Sequence, residues 1–210
     1  MALRAACVRV LLTMLVVLSG CRTVATGVNE RADALLADYR QRRPQTFPAT
    51  EEANSAWRRG QFTVHVLTKD ERTVLERVAV EGGQDHLHVS IDRLGVGEQL
   101  RVRLTFTKQP VDRASFEAAL TEAWVRRDEK PEIHHLGNVP AAVVELAWRA
   151  LEQPKTDGGA RAITVPAGVF EGCVDGVHSA VPLSGVVSQR RDGEVRELLE
   201  FGEDGAGDLY

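Results

Sequence analysis

Apolar side chains recur at two different periods along the chain. Ala32, Leu35, Leu36 and Tyr39 fall at i, i+3, i+4 and i+7, which is one face of a helix. Asn29 stands where it can cap that helix. Arg40, Arg42 and Arg43 load its last turn, where the helix dipole favours cations, and Pro44 ends it. Residues 44–56 read as a loop. From Trp57 the period changes to two. Phe62, Val64 and Val66 alternate with Thr63 and His65, and Val74–Val80 forms a second, less regular strand. Leu87, Val89 and Ile91 alternate with His86, His88, Ser90 and Asp92, and Leu100, Val102, Leu104 and Phe106 with Arg101, Arg103 and Thr105. The joins Lys69-Asp70-Glu71, 82–85 and 94–97 are short and rich in turn residues, so the four strands make an antiparallel meander with one apolar and one polar face.

The middle of the chain returns to helical spacing. Val111–Asp128 carries Phe116, Ala119, Leu120 and Trp124 on one face. Pro140–Glu152 opens on proline and carries Val143, Val144, Ala147, Trp148 and Leu151. Residues 153–160 break the pattern. Strands resume at Arg161–Val165, Gly168–Val174, Val177–Val181, Gly185–Arg190 and Glu194–Phe201, with Asp175-Gly176 and Asp192-Gly193 as two-residue hairpin turns. The fold class is α+β: a curved antiparallel sheet with helices on its apolar face, over residues 57–201, followed by a disordered tail at 202–210.

The N-terminus sets a location. Val10–Leu18 is an apolar run behind Arg4 and Arg9. As a helix it spans about 14 Å, less than half of the roughly 30 Å of a bilayer core, which is the length of a signal-peptide core rather than of a membrane span. It ends in Leu18-Ser19-Gly20-Cys21, which resembles the lipobox of bacterial lipoproteins: an aliphatic residue, two small residues and the cysteine. The resemblance implies that residues 1–20 are a cleaved signal, that Cys21 is lipidated, and that residues 21–56 form a tether with the N-terminal helix. Acyl chains contribute about 0.8 kcal/mol per buried CH₂, so two or three chains hold a protein on a membrane durably. Arg22, where an aspartate would favour the inner membrane, points to the outer membrane of a cell envelope.

Charge and cysteine content narrow the partners. Of 26 Lys and Arg, two lie in residues 1–20, leaving 24 against 30 acids and a net charge of −6. That argues against a nucleic-acid or anionic-lipid binding surface. Of the cysteines, Cys7 leaves with the signal and Cys21 is under lipid, so Cys173 has no intramolecular disulfide partner. A second resemblance rests on Ile163-Thr-Val-Pro-Ala-Gly-Val-Phe170, Val181-Pro-Leu-Ser-Gly-Val-Val187 and Trp57-Arg-Arg-Gly-Gln-Phe62. These are similar to strand signatures of a group of bacterial envelope lipoproteins. The associated fold is a half-barrel of the lipoprotein-localisation-factor type, whose sheet faces helices across an apolar cavity. No catalytic residues come with it.

Candidate chemistry is sparse. Across the Asp175-Gly176 turn, Cys173 would face His178, with Glu171 diagonal. Those are the parts of a thiol nucleophile, but no helix terminus or oxyanion hole accompanies them. Their ordinary role is a half-buried cross-strand pair. His86, His88 and Asp92 share a strand face and His65 lies two strands away, too far for joint ligation, so neither a metal nor a cofactor is expected. Arg93, Arg101 and Arg103 read as a solvated basic strip paired with Glu76 and Asp92. No phosphate-binding or hydrolase motif occurs. The expectation is a non-enzymatic, lipid-anchored binding module. Its partners would be the membrane, through Cys21, and an apolar ligand or another envelope protein. An apolar cavity would be lined by Phe62, Val64, Val66, Leu100, Val102, Leu104, Phe106, Trp124 and Trp148. The alternatives are a structural lipoprotein with a closed core and a thiol hydrolase using Cys173 and His178.

Overall fold

The computed structural model describes residues 30–50, 56–82, 86–95, 98–203 and Leu209. The expected signal and lipobox, with Cys21, and Asn29, expected to cap the first helix, lie outside these residues, as does most of the tail. The fold is α+β, and its main sheet is antiparallel throughout and not closed into a barrel. A first helix, α1, covers residues 30–41. The expected meander follows: β2 Phe62–Lys69, β3 Arg72–Val80, β4 Leu87–Gly95 and β5 Glu98–Phe106. It is extended by β6 Leu120–Arg127 and β7 Ile133–Leu136 on one side and by β11 Glu194–Gly202 and β10 Ser188–Arg191 on the other. The order of the eight strands is β10-β11-β2-β3-β4-β5-β6-β7. A separate three-stranded sheet holds β1 Gln45–Phe47 parallel to β9 Gly168–Val174, which pairs antiparallel with β8 Ala160–Val165.

The turns follow from local chemistry. Asp70 and Glu71, Asp175 and Gly176, and Asp192 and Gly193 each have positive φ at both positions, the type I′ geometry whose twist matches two paired strands. At Gly176 the requirement is double. Its φ is 84°, and a Cβ there would stand 1.8 Å from the carbonyl oxygen of Ser188.

Both faces of the main sheet are covered, by different elements. The α1 stripe of Ala32, Leu36 and Tyr39 packs on Phe62, Val64, Val66, Leu75 and Leu199, together with Leu209. Arg42 fastens the end of α1 to β11 through Glu200 at 2.9 Å. On the opposite face two helices, α2 Arg113–Ala119 and α3 Ala141–Leu151, pack on Val78, Ile91, Leu100, Val102, Leu104 and Phe106. A ladder of edge-on rings runs through that layer, Trp57–Phe106–Phe116–Trp148, with centroids 6.0, 5.1 and 5.5 Å apart. The small sheet covers the rest of this face, over β11, with Phe170, Val165, Cys173 and Leu198 in a third core.

Four expectations are corrected. The helix expected over Val111–Asp128 stops at Ala119. Asp112 caps it, its carboxylate accepting from the Ser115 amide at 2.7 Å while Ser115 Oγ accepts from the Asp112 amide at 2.9 Å. The chain then enters β6 and satisfies the free edge of β5, with Val102 opposite Val125 and Leu104 opposite Ala123. Backbone groups along that edge need partners, and this need outweighs the helical spacing of Leu120 and Trp124. His134 and His135 lie on β7, and the loop expected at 44–56 contains β1. Val177–Val181, expected as a strand, makes only single bridges at Val177, to Val174 and Val186. The strand expected from Gly185 begins at Ser188. Among the described residues no helix is long and apolar enough to cross a membrane.

Candidate functional site

The nine residues expected to line one apolar cavity are split by the strand register. Val66 opposes Leu75, and Leu75 opposes Leu94, while Val78 opposes Ile91, and Ile91 opposes Val102. Successive side chains alternate between faces, so Leu75 and Val78 point to opposite sides. Phe62, Val64 and Val66 are therefore under α1. Leu100, Val102, Leu104 and Phe106 are under α2 and α3, with Trp148 half-buried beside them. Trp124 belongs to neither layer. It is 37% exposed on β6 and stacks on His134 with centroids 3.8 Å apart.

The basic strip also divides. Arg93 lies opposite Leu100, Arg101 opposite Asp92, and Arg103 opposite Ser90, which puts Arg93 on one face and Arg101 and Arg103 on the other. The partners are as expected, but their burial is not. Arg101 Nε donates to Asp92 at 2.7 Å and Arg93 Nε to Glu76 at 2.8 Å, and both carboxylates are buried.

Glu76 centres a buried charge cluster. Arg196, also buried, places Nη2 3.2 Å from Glu76 Oε1, within ion-pair distance but without hydrogen-bond alignment. Arg196 also donates to the carbonyls of Arg149 and Ala150 at 3.2 and 3.1 Å, capping the C-terminal turn of α3 with a cation. Burial pushes the Glu76 pKa up, but Arg93 and Arg196 outweigh it and leave the carboxyl below its ordinary value. His65 completes the cluster. Its Nε2 meets the Val186 carbonyl at 2.9 Å and its Nδ1 faces Arg196 Nη2 at 3.4 Å, so Nε2 carries the proton and Nδ1 accepts. Burial first, and Arg196 second, push its pKa down to about 3.

A pH dependence follows. The unfolded chain takes up a proton on His65 near its ordinary 6.5, and the folded chain only near 3. The stability contribution is complete above pH 6.5 and is lost as pH falls toward 3. At about 1.4 kcal/mol per pH unit the loss by pH 5 is about 2 kcal/mol. Below its ordinary 4.5, Glu76 adds to the loss. Urea unfolding at pH 7 and pH 5 measures this. In His65→Gln, whose amide can still donate to Val186, the difference between the two pH values should shrink by about that amount.

The thiol pair does not assemble as a nucleophile and base. Cys173 is buried, burial pushes its thiol pKa up, and Sγ donates to the Phe170 carbonyl at 3.5 Å. His178 Nδ1 accepts from the Ala180 amide at 3.1 Å, so Nε2 carries the proton and donates to the Glu171 carbonyl at 3.0 Å. Both ring nitrogens are therefore committed. Elsewhere His88 meets Thr105 Oγ1 at 3.3 Å and Asp92 is held by Arg101. Among the described residues no group of three or more His, Cys, Asp or Glu is placed to hold a metal ion.

Two features remain that sequence reasoning missed. One is the β6–β7 end of the sheet. Of the four large apolar side chains that stand exposed among the described residues, Trp124, Ile133 and Leu136 are on these two strands, Leu136 at 65%. The signal that could have found it is the parity of Glu122, Trp124 and Arg126 within a strand. The other is a cleft of about 180 Å³ between the segment after α3 and the loop at 177–185, lined by Gln153, Thr156, His178, Ser179, Leu183 and Ser184 among others. The signature Val181–Val187 forms much of one wall. No family model matches this chain, and neither the curated proteins nor the solved structures provide a match.

Proposed function

We propose that this chain is a lipid-anchored protein of the bacterial envelope whose sheet domain is a non-enzymatic interaction module, pairing through the β6–β7 edge with an extended segment of another envelope protein. The observation that carries the reading is the collection of Trp124, Ile133 and Leu136 at one end of the sheet, where apolar side chains stand in solvent. β7 is an edge strand, Ile-His-His-Leu, with no lysine, arginine or proline to discourage pairing. The opposite edge, β10, ends in exposed Arg190 and Arg191 and is protected in the usual way. The anchor rests on the lipobox at Leu18–Cys21, and the non-enzymatic character on the committed hydrogen bonds of Cys173 and His178.

The test uses the full chain in cells, with a photo-crosslinking amino acid at position 133, 136 or 190. Positions 133 and 136 should give a discrete protein adduct and position 190 none, and the adduct should fall in Cys21→Ser, which is released from the membrane. Equal adducts at all three positions, or none at 133 and 136, overturn the reading.

A further inference from the structure

We infer that the cleft between residues 153–156 and 177–185 is a binding site for one uncharged, hydroxyl-bearing molecule of the size of a sugar ring. The site is independent of the β6–β7 edge.

The first observation is Ser184. Its side chain is 2% exposed, it stands in the wall of the cleft, and its Oγ has no hydrogen-bond partner. A buried hydroxyl without a partner is costly and uncommon, and a ligand group in the cleft would satisfy it. The second is the backbone beside it. Leu183 has φ of 64°, a conformation that branched side chains rarely adopt and that persists where the surroundings impose it. Gln153 Nε2 donates to the Leu183 carbonyl at 3.0 Å and fixes this turn against the opposite wall. On the other side Ser179 is tied to Thr50, its Oγ donating to the Thr50 carbonyl at 3.0 Å. The cleft is therefore a built feature, braced from both sides.

The lining selects the ligand. None of its residues is Asp, Glu, Lys or Arg. His178 is in the floor with both ring nitrogens already hydrogen-bonded to the backbone. A charged ligand would lose its hydration with no countercharge in return. The hydroxyls of Thr156 and Ser184 both donate and accept, Ser179 Oγ, whose proton goes to Thr50, can still accept, and Gln153 adds its amide oxygen. Val177 and Val181 supply apolar area between them. Polar groups spaced over an apolar surface match a molecule with hydroxyls around a hydrocarbon ring.

The experiment is saturation-transfer NMR on the full chain in detergent, with glucose, N-acetylglucosamine and glucuronate as probes. At least one neutral sugar should receive transfer and glucuronate none. Ser184→Ala and the exposed Thr156→Ala should each weaken the neutral sugar roughly 3- to 10-fold, the effect of one hydrogen bond. Ser184→Ala should melt no lower than the parent, because it removes an unpaired hydroxyl. Absence of transfer to both neutral sugars, equal transfer to glucuronate, or binding unchanged in both variants overturns the inference. If N-acetylglucosamine binds, a chain of such residues capped at one end separates a free sugar from the terminus of an envelope glycan.

Discussion

Glu76→Gln is expected to destabilise the protein by about 3–5 kcal/mol, the cost of removing one member of a buried ion pair. The substitution keeps the shape and removes the charge, so Arg196 stays buried without the carboxylate that stands 3.2 Å from it, and the Arg93–Glu76 ion pair is lost. The two carbonyls at the end of α3 remain, but they carry only partial charge. Urea unfolding followed by tryptophan fluorescence gives the number. The double variant Glu76→Leu/Arg196→Met should cost less than the sum of its single changes, because it leaves fewer stranded charges. A loss under about 1 kcal/mol in Glu76→Gln would mean that water reaches this cluster and that it is not a desolvated pair.

Phe170→Ala should cost a similar amount, about 3–5 kcal/mol, for a different reason. The ring is fully buried and stacks on Phe47 at 4.5 Å, with His178 at 5.3 Å and Phe201 at 5.9 Å. It joins β1, β9, β11 and the loop after β9. Truncation opens a void where four segments meet, so the loss should be unevenly distributed. Hydrogen exchange should show β8 and β9 opening well before β2–β5, whereas in the parent the two groups open at closer free energies. Parallel loss of protection in both sheets would show that the small sheet has no separate stability.

The elements most visible in the sequence are those with a single periodic solution. Phe62-Val64-Val66 cannot be placed on one helical face, and Ala32-Leu36-Tyr39 cannot be placed on one strand face. Leu120–Arg127 satisfies both periods, since Phe116, Leu120 and Trp124 continue a helical stripe while Ala123 and Val125 alternate. What decides it is the free edge of β5, a partner remote from local sequence. Alternation also identifies which residues share a face within a strand, but not which strands share it, because that depends on register. For this reason Phe62 and Leu100, alike in pattern, belong to different layers. His65 and Glu76 are informative in retrospect: they lie opposite each other and are buried on the face away from Val64, Val66 and Leu75, so β2 and β3 are covered on both sides. The cleft had a partial signal in Val181–Val187, but nothing in the letters distinguishes a partnered serine from an unpartnered one.

The position of β1 has a mechanical consequence. The chain runs from the N-terminal side through α1 and then β1 before it reaches the main sheet. Tension applied at the N-terminus first peels α1, whose contacts with the sheet are side-chain packing and the Arg42–Glu200 pair, and these can yield one turn at a time. It next meets β1, which lies parallel to β9 with Gln45, Thr46 and Phe47 opposite Gly168, Val169 and Phe170. Pulling along a strand strains all of these pairs together. The domain is thus fitted with a soft extensible element followed by a stiff stop, and a molecule pulled from its N-terminal side would lengthen by the helix before the sheet felt the force.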